Sequence, residues 1–307
     1  MRGLDEARRF YDERGRKMIE EQFPEYAGRI AVGLAGRGSQ CFGYDDALSR
    51  DHDFESGFSL WLTDGDDLAI GAALARAYRA LGAAGPSARS MLGESAVGVH
   101  RIGDFYRRCT GSPGAPESWQ QWLSLPSWAL AEATNGEVWR DDLGEFSAIR
   151  ETLLNGMPED VRRKKLAARV IGMAQSGQYN YARCLAHGES GAAMLALGQF
   201  VRDAAETVFL LNRRHMPYYK WCFRALRALP LLGDMAEPLE FLLTGENGGE
   251  GDKLKAQLVE DICASVLREL AAQGLCRGGS DYLEGPAFEI QRGIQNREIR
   301  ALHIMEG

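Results

Sequence analysis

The stretch Gly36–Leu62, GRGSQCFGYDDALSRDHDFESGFSLWL, decides how this chain is read. An apolar run, Ile30 to Ala35, leads into Gly38 and Ser39; after eleven residues come Asp51-His52-Asp53, and an apolar, aromatic run, Phe58 to Leu62, follows. This order reads as strand, tight glycine turn, short helix or loop, then a second strand carrying two carboxylates. Residues i and i+2 of a strand share a face, so Asp51 and Asp53 are expected to converge while His52 turns away. Two adjacent carboxylates repel each other, and a divalent cation resolves the repulsion. Magnesium takes hard oxygen ligands of this kind, which makes Asp51 and Asp53 the candidate metal ligands and catalytic acids.

The small residues matter as much. Gly38 lets the backbone approach a phosphate closely, and the Ser39 hydroxyl and the amides after it can donate to its oxygens. A phosphate cradle a few residues from a metal-binding aspartate pair is equipment for phosphoryl or nucleotidyl transfer, in which the protein chiefly positions groups and neutralises charge.

Gly38-Ser39, the spacer and Asp51-x-Asp53 resemble the signature of the DNA polymerase beta-type nucleotidyltransferase superfamily. The wording GSQCFGYDDALSRDHDF is similar to a bacterial group of uncharacterised proteins assigned to that superfamily, as are the later phrases QYNYAR and PYYKWCFRAL. The resemblance is dense over residues 30–62 and 175–230. It implies an α+β chain with a small mixed-sheet nucleotidyltransferase domain followed by an all-α helical bundle, the two-domain layout of aminoglycoside-modifying nucleotidyltransferases. It implies Mg2+, with ATP as co-substrate and β- and γ-phosphates held by Gly38 and Ser39, and an acceptor that the sequence does not name.

The 307 residues suffice for two domains, and 45% apolar with 26% charged residues is the composition of a globular protein. No run approaches the roughly 20 apolar residues of a membrane helix. The opening MRGLDEARRFYDERGRK lacks the apolar centre of a signal peptide, so a cytoplasmic protein without a membrane partner is expected. The six cysteines lie far apart with no C-x-x-C pair and read as small core residues. A net charge of −7 disfavours extended nucleic acid and tilts the acceptor toward a small molecule or a protein, leaving a compact RNA open. Nothing in the sequence fixes the oligomeric state.

In chain order, 4–26 reads as an amphipathic helix ended near Pro24, and 63–81 as a helix with Ile70, Leu74, Ala77 and Leu81 buried. Val97–Ile102 is the expected third strand. In the superfamily a third carboxylate often sits on such a strand; here it offers Gly98 and His100, with Asp104 just beyond. Asp104 is thus the candidate third acid or base, against a plain role as a helix cap, and His100 reads as a base or a hydrogen-bonded structural histidine. Trp119, Trp122 and Trp128, interleaved with leucines, read as packing rather than a base-stacking platform. Gly136–Gly144 reads as a strand at the sheet edge and Phe146–Leu154 as a helix. The boundary falls near residues 155–158, giving domains 1–157 and 158–307.

Beyond it, 159–176, 189–214, 217–232 and 252–275 show helical spacing, residues 245–251 a surface loop, and 289–305 a final helix. In the second domain Lys220, Arg224 and Arg227 fall at i, i+4 and i+7 on a helix opened by Pro217, a stripe suited to a triphosphate or simply a solvated face. Tyr179 and Arg183, one turn apart, touch nucleotide or acceptor, or pack between helices. The expectation is a magnesium-dependent nucleotidyltransferase; the rival is a nucleotide-binding regulatory module of the same fold with little or no transfer activity. A metal-dependent phosphoesterase ranks below both, for want of further His/Asp clusters.

Overall fold

The computed structural model describes residues 3–46, 57–82 and 97–307. The chain forms two compact units, Met1–Glu117 with Trp128–Gly156, and Ser118–Ser127 with Met157–Gly307.

The first unit is built on a four-stranded sheet of β1 (Ala31–Leu34), β2 (Ser59–Leu62), β3 (Gly98–Arg101) and β4 (Glu137–Arg140), in the order β3-β2-β1-β4. β1 runs antiparallel to β2 and β4, and β3 runs parallel to β2. Both central strands are buried along their whole length, so each face needs a helical cover. Alternation divides them. Val32, Leu60 and Leu62 share one core with Tyr11, Met18 and Ile19 of the first helix and with Leu74 and Tyr78. On the other face Trp61 stacks on Phe146 at 4.0 Å and meets Phe105 edge-on at 5.5 Å.

Helix α1 runs as Gly3–Phe10, a wide π-type turn Tyr11–Gly15, and Arg16–Gln22, and Pro24 opens a separate 3-10 segment. One-turn α2 (Ser39–Phe42) follows β1. Helix α3 runs as Asp64–Asp66, a π-type turn Asp67–Gly71, and Ala72–Ala80; Thr63 caps it by accepting from the Asp66 amide. Its acids do more than complement the helix dipole: Asp66 accepts from Arg29 Nε at 2.8 Å and Asp67 from Arg101 Nε at 2.6 Å, the second bond tying α3 to β3. Then come α4 (Ile102–Thr110), α5 (Trp119–Ser124), α6 (Ser127–Thr134) and α7 (Glu145–Asn155). The expected edge strand is present as β4.

The second unit is helical. α8 runs as Glu159–Met173, a π-type stretch Ala174–Tyr181, and Ala182–Ala186, and packs on α9 (Ser190–Leu211). Two glycines permit the approach: a Cβ on Gly172 would lie 2.2 Å from Asp203 Oδ2, and one on Gly177 2.3 Å from Phe200. α10 (Tyr219–Leu226), α11 (Ala236–Thr244), α12 (Glu250–Ala272), α13 (Glu284–Arg292) and α14 (Arg297–Ala301) complete it. Of the cysteines, Cys41, Cys222 and Cys263 are buried and all six are free thiols. Among the described residues no helix is long and apolar enough to cross a membrane.

Four readings from sequence need correction. Residues 118–127, read with the first domain, belong to the second unit, where Lys165 Nζ of α8 donates to Leu123 O and Leu125 O, both at 2.9 Å. The final helix is two, because Asp160 accepts from the Gln295 and Asn296 amides and Asn296 then caps α14. Helix α11 lay unassigned. Pro217 precedes rather than opens α10, whose first residue is Tyr219.

Two tests follow from the packing. Gly136 has φ +66°, and a Cβ there would stand 2.0 Å from Leu34 O. Gly136→Ala should cost roughly 2–4 kcal/mol and lower Tm by roughly 5–10 °C, while Gly114→Ala, with open space around it, should change little. Burial pushes the Lys165 ammonium down to about 8 from an ordinary 10.5. Below about pH 8 folded and unfolded chains both hold that proton, whereas between 8 and 10.5 only the unfolded chain does, so this residue makes stability rise with pH across that window. Urea unfolding of wild type against Lys165→Met should show the wild type gaining on the order of 1–3 kcal/mol over about two pH units; a constant difference refutes it.

Candidate functional site

The site begins where β1 ends. Gly36 and Gly38 have φ of +110° and +104°, a region that side chains beyond Cα disfavour, so both positions call for glycine. Asn135 clamps the first of them: its Oδ1 accepts from the Gly36 amide at 2.8 Å and its Nδ2 donates to Gly36 O at 2.7 Å. Asn135 is itself anchored, because Arg150 donates to the carbonyls of Thr134, Asn135 and Gly136 at 2.5, 3.2 and 3.2 Å. The turn is thus held rigidly between β1 and the segment entering β4.

Ser39, buried, opens α2, and Gly43 in the left-handed region closes it after a single turn. A helix this short leaves its first amides without intrahelical partners. Gln40 is buried against Gly3 of α1, and Cys41 Sγ lies 3.3 Å from Arg37 O as a weak donor. Arg37, between the two glycines, is exposed and pairs with Glu132 of α6 at 3.6 Å. Burial pushes the Glu132 carboxyl up, with Arg37 opposing.

The chain leaves β1 at Leu34 and re-enters the sheet at Ser59, which pairs with Gly33, so the connection begins and ends at one edge of the central pair. Asp51 and Asp53, read as metal ligands carried on the second strand, lie outside the described residues, and β2 as described begins at Ser59. Among the described residues no three His, Cys, Asp or Glu side chains converge as a metal site.

Asp104 does not sit on β3. It lies in the first turn of α4, half-exposed, accepting from Arg107 Nη1 at 2.6 Å, the geometry of a helix-start acid in an i,i+3 pair. β3 itself carries Gly98, Val99, His100 and Arg101 and no acid.

In the second unit Tyr179 and Arg183 come together: both are exposed, and the guanidinium sits 5.5 Å from the ring centroid. The rest of that phrase is structural. Gln178 donates to Glu260 and to Asp281 O and accepts from the Leu283 amide, and Tyr181 is buried. Lys220 and Arg224 lie exposed on α10, with Lys220 Nζ 5.9 Å from the Trp221 ring and Tyr218 against Tyr219 at 4.3 Å. Arg227, the third member of the stripe, is taken up by Glu240.

Sequence reasoning missed Asn135, Arg150 and Glu132. For Asn135 a signal existed, since Asn-Gly before a strand marks a constrained turn; Arg150 and Glu132, on helices far along the chain, left none.

No curated protein matches the chain. A solved structure, the nucleotidyltransferase-like protein from Exiguobacterium sibiricum, aligns over 92% of this chain and 81% of its own, with 12% identity and a TM-score of 0.39. Over residues 122–222, from α5 to α10, the chain matches the family model described as a domain of unknown function, DUF4037.

Proposed function

We propose that the protein is a magnesium-dependent nucleotidyltransferase that moves a nucleoside monophosphate, AMP from ATP, onto a hydroxyl of a small-molecule or protein acceptor. One observation carries the reading: a strand runs into a glycine turn fixed by Asn135, and a buried serine follows at the head of a one-turn helix. Gly38 and Ser39 hold the β- and γ-phosphates by backbone and hydroxyl donors, fixing the tail so that the α-phosphorus meets the acceptor in line. The acceptor oxygen forms the new bond to the α-phosphorus and gives up its hydroxyl proton to solvent, the bond to the β-phosphate oxygen breaks, and pyrophosphate leaves with the electron pair. Magnesium would neutralise the phosphate charge; its placement rests on the Asp51-x-Asp53 spacing alone. Arg183 and Lys220, each beside an aromatic ring, and Arg224 and Tyr179 are the further groups proposed for nucleotide or acceptor.

A second reading has an observation of its own. β3 carries no acid and Asp104 is engaged with Arg107, so among the described residues no carboxylate stands on β3 to take the proton in transfer. That favours a nucleotide-binding regulatory module.

The pure protein with α-labelled ATP, magnesium and a panel of hydroxyl acceptors decides between them. Transfer of label with release of pyrophosphate, reduced roughly 100-fold or more by Asp53→Ala and about tenfold by Ser39→Ala, is the expected result. Magnesium-dependent ATP binding by calorimetry without pyrophosphate release establishes the module instead. Absence of ATP binding removes both.

A further inference from the structure

We infer that Arg37 is a further phosphate-binding residue, held in position by Glu132, and that the anion it takes is the triphosphate tail of a nucleotide. The inference rests on the reading of Gly38 and Ser39 as a phosphate cradle and adds a charged ligand to it.

Arg37 has a fixed root. It stands between Gly36 and Gly38, both in the left-handed region, with Gly36 clamped by Asn135 and its own carbonyl facing Cys41 Sγ. Its side chain is 61% exposed while that of Glu132 is 13% exposed. The contact joins Arg37 Nε to Glu132 Oε2 at 3.6 Å, and that buried oxygen accepts no hydrogen bond. Among the described residues Arg37 forms no other ion pair.

A purely structural pair would look different. Burying a carboxylate costs free energy that close hydrogen bonds normally offset, and a guanidinium serving only as counter-ion would close its fork on both oxygens. Here the closest approach is a single one, Nε to Oε2 at 3.6 Å, too long for a hydrogen bond. The guanidinium is otherwise exposed, and its planar fork matches a phosphate bidentately. Glu132 is therefore a positioning residue: it draws the guanidinium to the wall beside Gly38 and limits its rotamers, so less freedom is lost when the anion arrives.

The trial is calorimetry of the full chain with magnesium and ATP, AMP or inorganic tripolyphosphate, on wild type, Arg37→Ala, Glu132→Ala, Glu132→Gln and the double variant Arg37→Ala/Glu132→Ala. Melting curves first establish that each variant folds; Glu132→Gln keeps the shape should Glu132→Ala fail. Arg37→Ala should weaken ATP and tripolyphosphate roughly 10- to 100-fold and AMP by less than about threefold. Glu132→Ala or →Gln should weaken the same two ligands less, and add nothing in the Arg37→Ala background.

Equal losses for AMP and ATP, no loss on Arg37→Ala, or a full additional loss in the double variant overturns the inference while leaving the nucleotide reading intact. So does Glu132→Gln that binds ATP normally yet transfers nothing, for then Glu132 acts on the reacting atoms. Tripolyphosphate bound through Arg37 without any ATP binding keeps the anion site and overturns the nucleotide reading. A wild type that binds none of the three overturns both.

Discussion

The first unit depends on the near-contact of two backbones at the corner of β1 and β4. A Cβ on Gly33 would lie 2.2 Å from Glu137 O, and one on Gly136 2.0 Å from Leu34 O, so nothing larger than glycine fits either position. The ladder is irregular at the same place, with the register shifting between Val32 and Gly33. Close approach of this kind exposes carbonyls that need donors, and Arg150 supplies them through its bonds to residues 134–136. Burial pushes its pKa down, yet an arginine remains charged, so these are charge-assisted bonds. Asn135 passes that rigidity on to Gly36. The turn proposed as a phosphate cradle is therefore fixed from the segment entering β4.

Much of this first unit was legible because its signals are local. The apolar runs around Val32 and Leu60, the proline after α1, and the threonine-aspartate opening of α3 each act within a few residues. The glycine turn was legible for the same reason: positive φ leaves its mark as glycine. What holds the turn was not. Asn135, Arg150 and Glu132 act across about a hundred residues or from another helix, and a single sequence carries no trace of such a partnership. The aspartate pair lies outside the described residues, so its geometry adds nothing to the spacing already read.

The helical unit shows where periodicity misleads. On α8 the charged residues Arg162, Lys164 and Lys165 are buried, where a polar stripe would suggest solvent. Each finds acceptors instead. Lys164 donates to His303 O at 2.6 Å and Ile304 O at 3.2 Å, Lys165 to the carbonyls of α5, and Arg162 to Glu159 and Leu210 O. The helix is central because its cations anchor irregular segments that have no regular ladder of their own. This is also why residues 118–127 leave their neighbours in sequence and join the second unit: the terminal carbonyls of a short helix are satisfied there by a buried ammonium.

Glu132 stands apart from those buried ions. The lysines of α8 make close bonds, as buried charges ordinarily do, while Glu132 keeps one oxygen buried, without a hydrogen bond and 3.6 Å from Arg37, its one counter-ion among the described residues. On stability alone the position would be better filled by a glutamine or methionine of similar shape, since a group left in that state costs about 1–3 kcal/mol. Unsatisfied groups and constrained backbones are tolerated where their surroundings over-determine them, and such places concentrate at sites of chemistry. The two positive-φ glycines and the loosely held carboxylate are one such concentration, and they fall on either side of one exposed guanidinium. An exposed charge is thus kept beside a rigid turn by a carboxylate that is itself incompletely satisfied, an arrangement that stability alone does not explain.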